Sequence, residues 1–415
     1  MNINFQILPL VQMKEDGSPI DIAPIREICA RGLNNCPPED RVIAWGLLSG
    51  LLPEQAEEWC QFREKIMQEY KGFLNEFEIS DYDKKFIPNC TGITEFGLPQ
   101  NSLMEIIHND IIRTGHHIFC IPIVEDPDAM QINSTENNSE QDNKLNDNSL
   151  DTMSDEENTD FIPYRMHLRR LERILYVFAQ LNHTLSYMQG FNEITTVLYY
   201  VCSLSLHFFY NSWDQLEVYV FHLLHRIITA TELSELFTTQ DHSSLIHKKL
   251  SKLMVILQRH SPLSYEIIKR MNIHPLHFCY RRVNLLFAQD QPIPNLLVIW
   301  DAIFAHFNEL VEFEFYLIVG QVKIVEPLID KNDYSQTMTA LQKLNVCNPE
   351  KLIEETNKLW LLDHDYNNQN LDIDQDSKNS KGSNEFIGKS TNFRQSFDHS
   401  VYKKNEQVGD QIISS

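Results

Sequence analysis

The chain has 415 residues, 42% of them hydrophobic and 22% charged, a balance typical of a folded protein with a large core. Its formal net charge of -23, from 35 basic and 58 acidic residues, argues against a nucleic-acid-binding or anionic-membrane-binding surface covering the molecule. The eight cysteines lack the short spacing of a zinc site, so reduced thiols and a cytoplasmic location are expected.

Residues 1–20 are predicted to form an N-terminal lead in front of a folded domain at residues 21–362. The lead lacks the basic start and the long apolar run of a secretory signal. Early in the domain stands the run Arg41-Val-Ile-Ala-Trp45. Trp45 is predicted to lie in the core, because large aromatic side chains dominate burial energy. Arg41 is predicted to make a structural bond to a backbone or carboxylate oxygen.

The first candidate site segment ends at Arg113. Asp110 lies three residues before it, so on a helix the two side chains share a face and the carboxylate can hold the guanidinium in place. A pair with this spacing is more commonly a solvated surface ion pair worth under about 1 kcal/mol. The spacing alone therefore does not decide between a functional arginine and a surface one.

A strongly acidic segment follows at about residues 125–160. Asn, Ser, Asp and Glu dominate it, and Lys144 is its only basic residue. Such a composition buries too little apolar surface to offset the entropy lost on ordering. We therefore predict a disordered insertion between two helical parts of the domain.

The second candidate site segment is Tyr187-Met-Gln189-Gly190, which follows a helix predicted from about residue 163 to 182 by apolar residues at steps of three and four. Gly190 permits a close backbone approach where the next helix begins. On its own, the segment is interpreted as a turn with a capping glutamine. Residues 194–213 contain no Asp, Glu, Lys or Arg, yet their Ser, Thr and His residues favour a buried core helix over a membrane span.

The C-terminal half continues the helical pattern, with steps of three and four around residues 250–257 and 296–304. Trp300 is predicted to be a core residue. Arg281 is predicted to bond to backbone or to a carboxylate such as that of Asp301. Strand-like alternation is rare, so the fold class is predicted to be all-α, with a disordered polar tail at residues 363–415.

No cofactor of the chain's own is expected. The nearest match to a phosphate-binding loop, Gly92 to Gly97, is followed by Leu98 and Pro99 rather than the Lys-Ser/Thr that such a loop requires. No Gly-x-Gly-x2-Gly sequence is present either. No metal site is expected, because neighbouring histidines point apart on regular structure and no further ligand has fitting spacing; the histidines concerned are His108, His116 and His117.

Taken together and in order, these motifs resemble the signature of TBC domains, helical modules that bind Rab GTPases and accelerate their GTP hydrolysis. The resemblance covers about residues 25–360. The sequence departs from the usual pattern at Gly115-His116, at Arg282 in place of Trp, and at Asp290 in place of Glu. The landmarks that carry the resemblance are Arg41, Trp45, Arg113, Gln189, Arg281, Trp300 and Asp301.

The resemblance implies an all-α TBC-type domain that acts as a GTPase-activating protein in vesicle traffic. It implies Arg113 and Gln189 as an arginine finger and a glutamine finger, with Asp110, Tyr187 and Gly190 in support. The GTP and Mg²⁺ would belong to the partner Rab, and membrane association would be at most peripheral, through the Rab at endomembranes. Two alternatives stay open: a TBC-fold scaffold that binds a GTPase without accelerating hydrolysis, and a helical adaptor unrelated to GTPases.

Overall fold

A computed structural model describes residues 4–12, 17–80, 82, 102–123, 164–238, 242–343 and 348–379. Throughout these ranges the secondary structure is helical, without a β-strand, so the all-α prediction is confirmed. The predicted acidic insertion at 125–160 and residues 380–415 of the predicted tail lie outside the described residues. The chain divides into two units, residues 1–362 and residues 363–415.

The α-helices in chain order are α1 Ile22–Cys29, α2 Pro38–Leu48, α3 Trp59–Glu76, α4 Ser102–Arg113, α5 Gly115–Ile118, α6 Arg165–Leu181, α7 Phe191–Ser203, α8 Trp213–Thr229, α9 Leu233–Thr238, α10 His242–His260, α11 Pro262–Arg270, α12 Leu276–Asn284, α13 Ile293–Ala305, α14 Leu310–Val325, α15 Tyr334–Gln342 and α16 Pro349–Asn379. Helix α16 begins in the first unit, and its residues 363–379 belong to the second. The predicted tail therefore starts within a helix.

Helix α7 lies at the centre of the first unit. It packs against α2, α4, α5, α6 and α8, and every residue in it except Tyr200 is buried. This burial explains the absence of charged residues other than Glu193 from the helix, because an unpaired charge is costly in a protein interior. The uncharged run from residue 194 to 213 is not one continuous helix. Helix α7 ends at Ser203, and a short 3₁₀ helix follows at Leu206–Phe209. In the described part of the chain, no helix is both long and apolar enough to span a membrane.

The described part of the N-terminal lead contributes apolar side chains to the core. Ile7 and Val11 are buried, and the carboxylate of Asp40 accepts backbone N–H bonds from residues 6–8 at 2.6, 3.1 and 3.0 Å. A carboxylate stabilises the free N–H groups at the start of a short helix. Asp40 thus holds the 3₁₀ turn Leu8–Leu10 against the start of α2.

Candidate functional site

Helix α4 positions the first candidate segment. Its buried face is made by Met104, Ile107 and Ile111, each 0% exposed, which fixes the rotation of the helix. Asp110 lies at the edge of that face and is 5% exposed. Arg113 is the last residue of the helix, and its side chain is 72% exposed. The guanidinium Nη1 lies 3.5 Å from Asp110 Oδ1, a long contact that leaves the arginine free to extend into solvent.

The turn before α7 positions the second segment. Gly190 has a φ of +108°, a conformation that side chains other than glycine rarely adopt. A Cβ atom at Gly190 would lie 2.2 Å from Leu285 Cδ2, so the glycine also permits the close approach predicted from the sequence. Gln189 immediately before it is exposed and makes no hydrogen bond to any other described residue. The turn therefore presents Gln189 to solvent.

A buried hydrogen bond joins the two segments. The Tyr187 hydroxyl donates to Asp110 Oδ2 at 3.0 Å, and Tyr187 is only 8% exposed. Burial, and then the neighbouring Asp110, raise the pKa of Tyr187 well above its ordinary value, so the hydroxyl keeps its proton. Asp110 therefore accepts bonds from a residue of each candidate segment.

Asn192 is a central residue of the site that the sequence analysis missed. Its Oδ1 accepts from the backbone N–H of Gly190 at 3.0 Å, and its Nδ2 donates to the backbone oxygen of Asp110 at 3.2 Å and to Thr114 Oγ1 at 2.5 Å. It is 5% exposed. An asparagine in the first turn of a largely buried helix is a signal in the sequence, because a buried amide needs several partners.

A third segment contacts residues next to the two candidate segments. His117 Nε2 donates to the backbone oxygen of Ala288 at 3.0 Å and lies 3.4 Å from Glu193 Oε2. Gln289 Nε2 donates to Glu193 Oε1 at 2.9 Å. These contacts tie the end of the arginine segment and the start of α7 to the turn after α12. His117, Glu193 and Ala288 are buried in this group, whereas Gln289 is exposed.

Two of the departures from the usual pattern, Arg282 and Asp290, lie next to this turn. Arg281 donates to Asp290 Oδ1 at 2.7 Å, as predicted for a structural arginine–carboxylate pair. Arg282 is 3% exposed, donates to the backbone oxygen of Phe278 and to that of Gln342, and lies 3.4 Å from the same Asp290 oxygen. The guanidinium thus occupies a buried position by satisfying backbone oxygens and one carboxylate.

The remaining predicted residues form a separate structural cluster around Asp301. Its carboxylate accepts from Arg41 Nε at 3.2 Å, from Trp45 Nε1 at 3.0 Å and from the backbone N–H of Leu33 at 2.8 Å. Burial raises the pKa of Asp301 to about 6, although Arg41 beside it lowers it, so the group is ionised at neutral pH. Trp300 is fully buried and donates to the backbone oxygen of Leu286 at 2.7 Å.

The histidines near Arg113 have partners other than one another. His108 Nδ1 lies 2.8 Å from Glu172 Oε1, and His117 contacts the turn after α12. Within the described ranges, no group of three or more His, Cys, Asp or Glu residues is arranged to hold a metal ion. The two histidines therefore contribute to packing between segments.

Comparisons with known proteins identify the fold. Human TBC1 domain family member 13 is 22% identical over 383 residues, covering 82% of this chain and 94% of that protein. Human TBC1 domain family member 22B is 22% identical over 320 residues, covering 74% of this chain and 52% of that protein. The crystal structure of the Ypt/Rab-GAP domain of Gyp1p superposes with a TM-score of 0.61 at 16% identity, covering 87% of this chain and 98% of that one.

The family model described as the Rab-GTPase-TBC domain matches residues 123–356, more than half of the 415 residues. The matched range contains Gln189, Arg281 and Asp301, whereas Arg113 lies ten residues before its start. The resemblance noted in the sequence is thereby confirmed. The chain belongs to the Rab-GTPase-TBC domain family.

Proposed function

We propose that this chain is a GTPase-activating protein for a Rab-family small GTPase, and that Arg113 and Gln189 complete the active site of the GTPase in trans. One observation carries the proposal: both side chains are exposed, and they stand on two segments that a buried network of Asp110, Tyr187 and Asn192 joins. Family membership supports the class of partner. A role in vesicle traffic would follow from the Rab.

Arg113 would stabilise the charge that develops on the phosphoryl oxygens during hydrolysis. A guanidinium suits this task because it is permanently charged and can contact two oxygens at once. The GTP and Mg²⁺ belong to the partner, which binds them before the two proteins meet. The 72% exposure of the Arg113 side chain supports this role, since a buried arginine could not reach a phosphate on another protein.

Gln189 would orient the attacking water. The side-chain carbonyl can accept a water proton while the NH₂ group donates nearby, so one amide can fix the position of the nucleophile. The αL turn at Gly190 and the bond from its N–H to Asn192 hold the backbone next to Gln189. A fixed backbone limits the entropy lost when the glutamine enters a foreign active site.

The second candidate is a scaffold that binds a GTPase without accelerating hydrolysis. The contact that favours it is the 3.5 Å separation between Arg113 Nη1 and Asp110 Oδ1, which is too long to hold the guanidinium in a fixed direction. A catalytic arginine held so loosely would lose more entropy on entering the GTPase site.

Single-turnover GTP hydrolysis across a panel of purified Rabs separates the candidates. Acceleration of at least one Rab by the unaltered protein, together with its loss in Arg113→Ala, supports the activating function. Binding to a GTP-loaded Rab without acceleration supports the scaffold. Failure to bind any Rab would contradict both.

A further inference from the structure

The outward face of α4 carries an apolar side chain next to the proposed arginine finger. Ile106 is 51% exposed, whereas its neighbour Ile107 is 0% exposed and belongs to the core. Glu105 and Asn109 are exposed on the same side of the helix. The helix thus presents one large aliphatic side chain between polar ones on the face that ends in Arg113.

Helix geometry places Ile106 and Arg113 on one face. They are seven residues apart, which corresponds to a rise of about 10.5 Å and an angular difference of about 20°. Both side chains therefore leave the helix in nearly the same direction, separated by about two turns. A protein surface that meets one of them along this direction also meets the other.

The size of a protein interface extends this argument to the partner. A standard interface buries about 800 Å² on each partner, equivalent to a disc with a radius of about 16 Å. An interface centred on Arg113 therefore reaches well past Ile106. In such an interface, apolar side chains form the buried centre and polar side chains form the rim around it.

We propose that Ile106 is an apolar anchor for the GTPase, burying against an apolar side chain on the GTPase surface that borders the nucleotide. This inference rests on the proposed function, because the GTPase is the protein that must lie against Arg113. Ile106 would supply affinity and leave the chemical step to Arg113 and Gln189. A residue that acts only in binding changes the concentration needed for stimulation and leaves the maximal rate unchanged.

The test measures single-turnover hydrolysis by a stimulated Rab at increasing concentrations of the activator. We expect Ile106→Ala to raise the half-saturating concentration about fivefold to tenfold at an unchanged maximal rate, because about half of an isoleucine is newly buried in the complex. Ile106→Lys should raise it further. The matched control is Val255→Ala: Val255 is 53% exposed on α10, which carries none of the candidate site residues, and this change should alter neither quantity.

The outcomes distinguish this inference from the function on which it rests. If Ile106→Ala and Ile106→Lys keep the half-saturating concentration of the unaltered protein while Arg113→Ala loses the maximal rate, the anchor is overturned and the activating function stands. If Arg113→Ala keeps its rate, or no Rab is stimulated, both are overturned. If the unaltered protein is a dimer in solution and substitution of Ile106 makes it a monomer, this face binds a second copy of the chain, and the anchor is also overturned. Equal melting temperatures confirm that each variant is folded.

Discussion

The Tyr187 hydroxyl donates to Asp110 Oδ2 at 3.0 Å and so links two segments that are 77 residues apart in sequence. Asp110 belongs to the helix that ends in Arg113, and Tyr187 stands two residues before Gln189. The bond is buried, so water cannot replace it without a local opening. The relative position of the two proposed fingers therefore depends on a single phenolic oxygen and the network around it.

Removal of that oxygen should weaken both the fold and the stimulated rate. In Tyr187→Phe, a buried oxygen of Asp110 loses a donor, at a cost of about 1–3 kcal/mol in the free energy of unfolding. Urea denaturation measures the loss, and single-turnover hydrolysis measures the rate. The control is Tyr334→Phe, since Tyr334 is 52% exposed and its hydroxyl is accessible to water. If Tyr187→Phe unfolds at the same urea concentration as the unaltered protein, the prediction is contradicted.

Replacement of Arg113 should abolish stimulation and leave the fold intact. Arg113→Ala is expected to lose about 10³- to 10⁵-fold in stimulated hydrolysis, the range found for arginine fingers. Arg113→Lys should restore little, because an ammonium cannot reproduce the planar guanidinium. The free energy of unfolding should change by less than about 0.5 kcal/mol, since the side chain is exposed. Retention of full stimulation by Arg113→Ala would remove this residue from the mechanism.

Replacement of Gln189 gives a second, independent test. Gln189→Ala should lose most of the stimulated rate, and the double variant with Arg113→Ala should fall short of the product of the two losses, because residues that act as a unit are not additive. A Rab whose own catalytic glutamine is replaced by leucine should keep part of its stimulated rate, since the water is held from outside. Normal binding of that Rab with no stimulation would contradict a glutamine supplied in trans.

Alanine at Gly190 should disturb the turn that presents Gln189. Its φ of +108° is strained for any residue with a Cβ, at a cost of about 1–3 kcal/mol, and the new atom would also meet Leu285. Gly72→Ala is the matched control. Gly72 lies within α3 with nothing inside 4 Å of its Cβ position, so alanine there should stabilise the protein by about 0.5–1 kcal/mol. Thermal denaturation separates the two, and equal shifts in the same direction would contradict the assignment.

Buried His167 should make stability depend on pH. Burial, and then the nearby Arg170, lower the pKa of His167 to about 4. The unfolded chain takes up this proton near pH 6.5 and the folded chain only near pH 4, so the stability that depends on the neutral histidine is present above pH 6.5 and is lost as the pH falls through this window. His167→Gln removes the titration and can still accept from the Tyr199 hydroxyl, which lies 2.9 Å from His167 Nδ1.

Urea denaturation at pH 7.5, 6 and 5 provides the measurement. Relative to His167→Gln, the free energy of unfolding of the unaltered protein should fall by up to about 1.4 kcal/mol per pH unit below pH 6.5. The difference between two variants isolates this residue from other titrating groups such as Asp301. If the difference in the free energy of unfolding between the unaltered protein and His167→Gln is the same at all three pH values, the pH dependence assigned to His167 is contradicted.

Local spacing predicted much of the fold but few of the contacts within the site. Apolar periodicity located α6 to within two residues at each end, and Gly190 was identified as a close-approach position because glycine has a specific conformational use. The bonds made by Asn192 depend on residues 78 and 82 positions earlier in the chain, and no local pattern encodes a pairing at that distance. For the same reason the contacts of the N-terminal lead could not be predicted, since its backbone N–H groups at residues 6–8 are satisfied by Asp40, more than 30 residues away.

The carboxylate of Asp301 has a consequence for the order in which the domain is made. Its partner Arg41 lies 260 residues earlier. The ribosome therefore makes the helix that contains Arg41 long before it makes the carboxylate that pairs with this arginine. At about 5–20 residues per second, this interval lasts about 13–52 s. Throughout it, Arg41 and the indole of Trp45 lack their partner, and the surface of α2 that later packs on α13 stays open. Burial of that surface of α2 against its native partner therefore waits until the chain has been made as far as α13.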